Sequence, residues 1–94
     1  MTTMFVRHKV DNYENWKRVY DEIAPVRKAN GVTAASVHRD AKDPNFIMVT
    51  HQFNDMNSAT QFANSEDLKS AMHKAGIHGQ PEFWIGEDLE NTPY

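Results

Sequence analysis

The stretches Phe46-Ile47-Met48-Val49 and Phe83-Trp84-Ile85 carry apolar residues at consecutive rather than alternating positions. Side chains along a strand point to opposite faces in turn, so a sheet built from these stretches carries apolar surface on both faces. Helices on one side cover one face only, and a contiguous apolar patch left on the other marks an interface. A sheet with helices on one face and a second copy of itself against the other is the arrangement this pattern predicts.

The remaining segments supply the other elements. Met4 to Val10 reads as a strand punctuated by Asp11-Asn12. Asp11 followed by Glu14 has the form of a capping box, and Tyr13, Trp16, Tyr20, Ile23 and Arg27 then recur at helical spacing. Pro25 is expected to kink or break that helix, which ends near Ala29 before the Asn30-Gly31 exit. Val32 to Asp40 and Phe46 to Phe53 read as antiparallel strands joined by a turn-rich linker from Ala41 to Asn45. Met56 to Ala75 divides into two short helices, with Ser65 as a fresh N-cap and Gly76 as the stop. Pro81 to Leu89 is the last expected strand, and no repeat or low-complexity tract interrupts the order.

Strand, helix, strand, strand, helix pair, strand with right-handed crossovers makes an α+β fold of ferredoxin-like βαββαβ type. The expectation is a four-stranded antiparallel sheet with helices on one face, forming one domain over residues 1–94. A chain of 94 residues buries only about 60 to 65% of its unfolded surface, which favours support from oligomerisation.

Composition removes several classes of function. The absence of cysteine excludes disulfides, thiolate catalysis and thiolate metal sites. A net charge of -3 leaves no basic footprint for nucleic acid. The Met4-Phe5-Val6 run is too short for a membrane span or signal peptide before Arg7-His8-Lys9, so the expected location is cytoplasmic.

The segments Phe5-Val6-Arg7-His8-Lys9-Val10, Trp16-Lys17, and Gln61-Phe62-Ala63-Asn64-Ser65 through Ala71-Met72 resemble the dimeric α+β barrel proteins. Among them, the chain is similar to the antibiotic-biosynthesis-monooxygenase-like domains. The resemblance implies a homodimer in which two four-stranded sheets close a barrel, each protomer keeping a pocket between its sheet and its helices. Members include cofactor-free oxygenases, haem-degrading enzymes, polyketide cyclases, isomerases and non-catalytic binding modules. The haem-degrading branch carries a Trp and a His where this chain has Phe62 and Met72; His73 lies one residue beyond, about 100° around a helix. The cyclase branch carries a Tyr and a His where this chain has Phe62 and Leu68, neither of which moves a proton.

Five histidines (His8, His38, His51, His73 and His78) are the first candidates for proton transfer near neutrality. His51, between Val49 and Phe53 in the strand alternation, is the one expected to be buried and is the candidate catalytic base. His8 and His38 are expected as partly exposed strand ends about 10 Å apart that could frame a pocket mouth. His8 and His51 are read as lying too far apart along their strands to share a ligand. His-x-x-x-His spacing is absent and Gly76 separates His73 from His78, so no metal site is expected, and no cofactor. His8, Trp16, Tyr20, Phe62, His73 and Trp84 are the expected substrate-binding residues, the aromatic ones as walls of an apolar pocket. Arg7, Lys9, Arg27 and Arg39 are read as solvated ends of their elements.

Two functions follow. The first is a small-molecule-binding homodimer acting as a cofactor-independent monooxygenase, or a related cyclase or isomerase, on a hydroxylated aromatic or polyketide-like substrate. The alternative is a non-catalytic ligand-binding or stress-related module of the same fold. The expected partners are a second copy of the chain and a small aromatic ligand, with no nucleic acid and no membrane.

Overall fold

The computed structural model describes residues 1–94. The elements run β1 (Thr2–Val10), α1 (Tyr13–Glu22), α2 (Ala24–Ala29), β2 (Val32–Arg39), β3 (Phe46–Phe53), α3 (Met56–Ala63), α4 (Glu66–Lys74) and β4 (Ile77–Glu87). The four strands form one sheet in the order β2-β3-β1-β4, and every pairing is antiparallel. This is the expected ferredoxin-like arrangement, and no helix is long and apolar enough to cross a membrane.

Alternation on the two central strands sorts the sheet into an inner and an outer face. Met4, Val6, His8 and Val10 of β1, with Ile47, Val49, His51 and Phe53 of β3, are buried beneath the helices. The consecutive apolar runs are thereby divided, Ile47 and Val49 going inward while Phe46 and Met48 go outward. On the outer face, Phe5 pairs with Trp84 across β1 and β4, and the two are 46% and 51% exposed.

Pro25 does break the first helical segment. Ile23 closes α1 and precedes α2, and Pro25 falls in the first turn of α2, where its missing N–H has no intrahelical partner to lose. Gly31, at φ 92°, supplies the exit into β2. Ser65 caps α4 as expected, its Oγ accepting from the Leu68 N–H at 3.1 Å, and Asp55 caps α3 through the Ser58 N–H at 2.7 Å.

Several boundaries differ from the sequence reading, the end of β2 at Arg39 rather than Asp40 being the smallest. The N-cap of α1 is Asn12, whose Oδ1 accepts from the Asn15 N–H at 2.8 Å, whereas Asp11 lies in the bend after β1, its N–H donating to the Gly76 carbonyl at 3.0 Å. β1 starts at Thr2 because Thr2 and Thr3 already pair with β3 and β4. β4 starts at Ile77 and ends at Glu87, not at Pro81 and Leu89. The segment His78-Gly79-Gln80-Pro81 has turn composition, yet it forms a bulge: Arg7 pairs with Glu82 and Lys9 with His78, leaving extra β4 residues opposite His8. Gly79, at φ 69°, takes the left-handed conformation there, and Pro81 sits where no ladder N–H is needed.

Candidate functional site

A cavity lies between the inner face of the sheet and the helices, with Val6 and Val49 on its floor. These two valines are directly paired, with Met4 opposite His51 on one side and His8 opposite Ile47 on the other. His8 and His51 therefore point to the same face from neighbouring strands, offset by four residues, or roughly 13 Å along the strands. That offset excludes a common metal ion, but both rings line the one cavity. An extended molecule, unlike an ion, can reach both rings.

The roof comes from α1. Trp16 and Tyr20 are four residues apart on its buried stripe, and their rings stack at 4.9 Å with 19° between planes. The Trp16 ring is 5.7 Å from His8, and the Tyr20 ring is 6.4 Å from His51. Phe62 of α3 closes the far end, its ring edge-on to His51 at 5.7 Å. The two imidazoles thus bracket a continuous aromatic wall.

Neither imidazole has a hydrogen-bond partner within the protein. His8 and His51 are each 4% exposed, and all four of their ring nitrogens are unpartnered. A buried polar atom without a partner costs about 1–3 kcal/mol, and such atoms concentrate where a ligand or ordered water supplies the bond. Burial lowers the His8 pKa to about 4. The His51 pKa is also lowered to about 4, first by burial and then by the positive charge of Arg27 and the proximity of His8. At neutral pH each ring is uncharged and offers one N–H donor and one lone pair.

Arg27 is the residue that sequence reasoning misplaced. It is buried, 9% exposed, and lines the cavity rather than standing in solvent. Its guanidinium lies over the Tyr20 ring, 3.6 Å from the centroid, and Nη1 donates to the Tyr20 carbonyl at 2.5 Å. No ion pair of the molecule includes it. The signal was present in the sequence, since Arg27 continues the stripe of Tyr13, Trp16, Tyr20 and Ile23 that faces the sheet.

The other expected residues are placed elsewhere. His73 is exposed and lines an open groove between α4 and β4. Trp84 stands on the outer face of the sheet beside Phe5 and Met48. His38 is exposed on that outer face, within 3.0 Å of the Ser36 Oγ, so it shares no pocket mouth with His8, which is buried rather than partly exposed. A period-two strand puts residues 38 and 48 outward when 37 and 49 point inward, and β2 pairs with β3 in that register.

The cavity measures about 40 Å³, which holds a few water molecules. Leu68 and Met72 line both this cavity and the α4–β4 groove, so these two side chains form the wall between them.

The model of the antibiotic biosynthesis monooxygenase family matches residues 2–74. Among solved structures, SnoaB from Streptomyces nogalater, a cofactor-independent oxygenase, superposes with a TM-score of 0.79 at 12% identity, covering 99% of this chain and 97% of its own. The NE2512 protein of unknown function from Nitrosomonas europaea gives a TM-score of 0.76 at 18% identity over 99% of this chain and 93% of its own. A candidate antibiotic biosynthesis monooxygenase from Caulobacter crescentus gives 0.75 at 17% identity over 95% of this chain and 90% of its own. No curated protein sequence matches the chain.

Proposed function

The chain belongs to the antibiotic biosynthesis monooxygenase family, and on that premise we propose that it is a cofactor-independent monooxygenase acting on a hydroxylated aromatic or polyketide-like molecule. The observation that carries this reading is the pair of buried imidazoles with four unpartnered nitrogens in an aromatic-lined cavity.

In this reading the substrate displaces the Leu68 and Met72 side chains and so joins the cavity to the α4–β4 groove, and His51 takes the proton of an acidic hydroxyl or of the carbon beside an aromatic carbonyl. Its lone pair is free to accept, and the developing oxyanion offsets the cost of charging a buried ring. His8 donates to a second oxygen of the same molecule, and Trp16, Tyr20 and Phe62 hold its flat faces. The electron-rich anion then reduces dioxygen, and the carbon forms a bond to one oxygen atom. Loss of water from the resulting hydroperoxide leaves a carbonyl, so that CH₂ and O₂ become C=O and H₂O without an external reductant.

The same proposal takes the outer sheet face, with Phe5, Met48 and Trp84, as the contact with a second copy of the chain. Members of the family generally form homodimers.

The test is oxygen uptake with dithranol, a small hydroxylated anthrone, corrected for its reaction in buffer. Uptake by the wild type that falls by about 10²-fold or more in His51→Ala supports His51 as base. Equal uptake by both proteins removes that role. The small cavity favours one second reading, a non-catalytic binding module, for which dithranol would bind tightly and be recovered unchanged under oxygen.

A further inference from the structure

We propose that Arg27 makes this cavity a site for aromatic anions: a flat ligand bearing a carboxylate or an ionised hydroxyl, whose oxygen accepts from the guanidinium while its ring lies along Tyr20. The proposal rests on the reading of the cavity as a ligand site and adds the charge of the ligand.

A guanidinium is expensive to bury, and natural proteins bury one with a carboxylate or phosphate beside it. Arg27 has neither, although it is 9% exposed. The one carboxylate whose charge reaches Arg27, Asp21, makes no ion pair with it and is held by Lys17 at 2.6 and 2.7 Å. Capping explains only part of the arrangement: the bond to the Tyr20 carbonyl satisfies one C-terminal acceptor of α1 with one of the five donors of the side chain. That bond and the stacking on Tyr20 fix the plane of the guanidinium beside the cavity, and its other nitrogens are not cut off from solvent or from an incoming ligand.

The rest of the lining sharpens the point. No Asp or Glu lines the cavity, and both histidines are neutral there, so Arg27 is its only formal charge. After burial, the positive charge of Arg27 is the next cause of the lowered His51 pKa. An anion bound between them meets a cation on one side and an imidazole N–H on the other, whereas a neutral molecule of the same shape leaves the buried cation unpaired. Planar, two-pronged donation to a carboxylate or an oxyanion is what Arg provides and Lys does not.

The experiment compares 2-naphthoate with its neutral counterpart 2-naphthamide by isothermal titration at pH 7.5, on the wild type, Arg27→Met and Arg27→Lys. The proposal expects at least tenfold tighter binding of the naphthoate by the wild type, no preference in Arg27→Met, and a reduced preference in Arg27→Lys. Arg27→Met should also keep its melting temperature within a few degrees, because it removes an unpaired buried charge and keeps most of the packing. Equal binding of the two probes by the wild type, or a uniform loss for both in Arg27→Met, overturns the charge assignment while the cavity reading stands. Binding of neither probe by the wild type contradicts the cavity reading and this proposal with it.

Discussion

The guanidinium of Arg27 stacks on the ring of Tyr20, seven residues earlier, and donates to that residue's own carbonyl. The chain breaks at Ile23, Pro25 opens the next helix, and from that helix Arg27 closes over Tyr20 near the end of α1. The same contact fixes one end of the aromatic wall and holds there a positive charge that helps lower the His51 pKa.

Acid should destabilise this protein earlier than carboxylate protonation alone would. The folded-state pKa of His8 and of His51 is lowered from 6.5 to about 4, so the unfolded chain binds protons that the folded one does not. Their contribution is intact above pH 6.5 and is lost as pH falls towards about 4, at about 1.4 kcal/mol per pH unit for each ring. Urea unfolding at pH 7, 6 and 5 should show this slope in the wild type and roughly half of it in His51→Phe. An unchanged slope in His51→Phe would show that the ring titrates freely in the folded state.

The wall between cavity and groove should be a barrier to bulky ligands. Met72 is half-buried, unbranched and common to both spaces, whereas Leu68 is more deeply held. Met72→Ala is expected to raise the association rate of a fused-ring ligand several-fold in stopped-flow fluorescence, at a stability cost of roughly 1–2 kcal/mol. An unchanged rate would place the access route elsewhere.

A charge on the outer face should separate assembly from binding. Phe5→Glu or Trp84→Glu puts a carboxylate on the exposed apolar row and leaves the inner face untouched. Sedimentation should show the wild type as a dimer and the variant as a monomer that still binds 2-naphthoate. A wild type that is monomeric at micromolar concentration would remove the dimer from the proposal.

The capping assignment of α1 is open to a simple comparison. Asn12→Ala should cost about 1 kcal/mol because it removes the acceptor for the Asn15 N–H. Asp11→Ala should cost less, since its side chain makes only an exposed pair with His78. Denaturant titration of the two variants reads the difference directly, and the reverse order would restore Asp11 as the cap.

Much of this architecture is written in local patterns. Period-two burial on Met4 to Val10 and on Phe46 to Phe53, the helical stripe from Tyr13 to Arg27, and the Pro25 break each depend on neighbouring residues alone. The start of β4 was hidden because His78-Gly79-Gln80-Pro81 has turn chemistry, and only pairing with β1 makes it a bulged strand. Asp11 and Asn12 are both good caps, and the tie is broken by a backbone bond from Asp11 to Gly76 that no sequence spacing reveals.

The candidate site was legible to a lesser degree. His51, Trp16, Tyr20 and Phe62 follow from strand and helix periodicity, which predicts the face but not the neighbours. Polar Arg7 and Lys9 on either side make His8 look like an exposed strand end, yet it is inward by the same alternation that buries Val6 and Val10. Charged residues usually sit in water, and for Arg27 its place on an apolar stripe carries more information than its type.

The most direct test of the account is the imidazole ¹⁵N spectrum of the five histidines, recorded at pH 7 while 2-naphthol, a small hydroxylated aromatic, is titrated in. The account predicts that the resonances of His8 and His51 move together and saturate with one ligand per chain, while those of His38, His73 and His78 stay in place. Movement confined to the exposed histidines, or none at any of the five, would contradict the assignment of this cavity as the functional site.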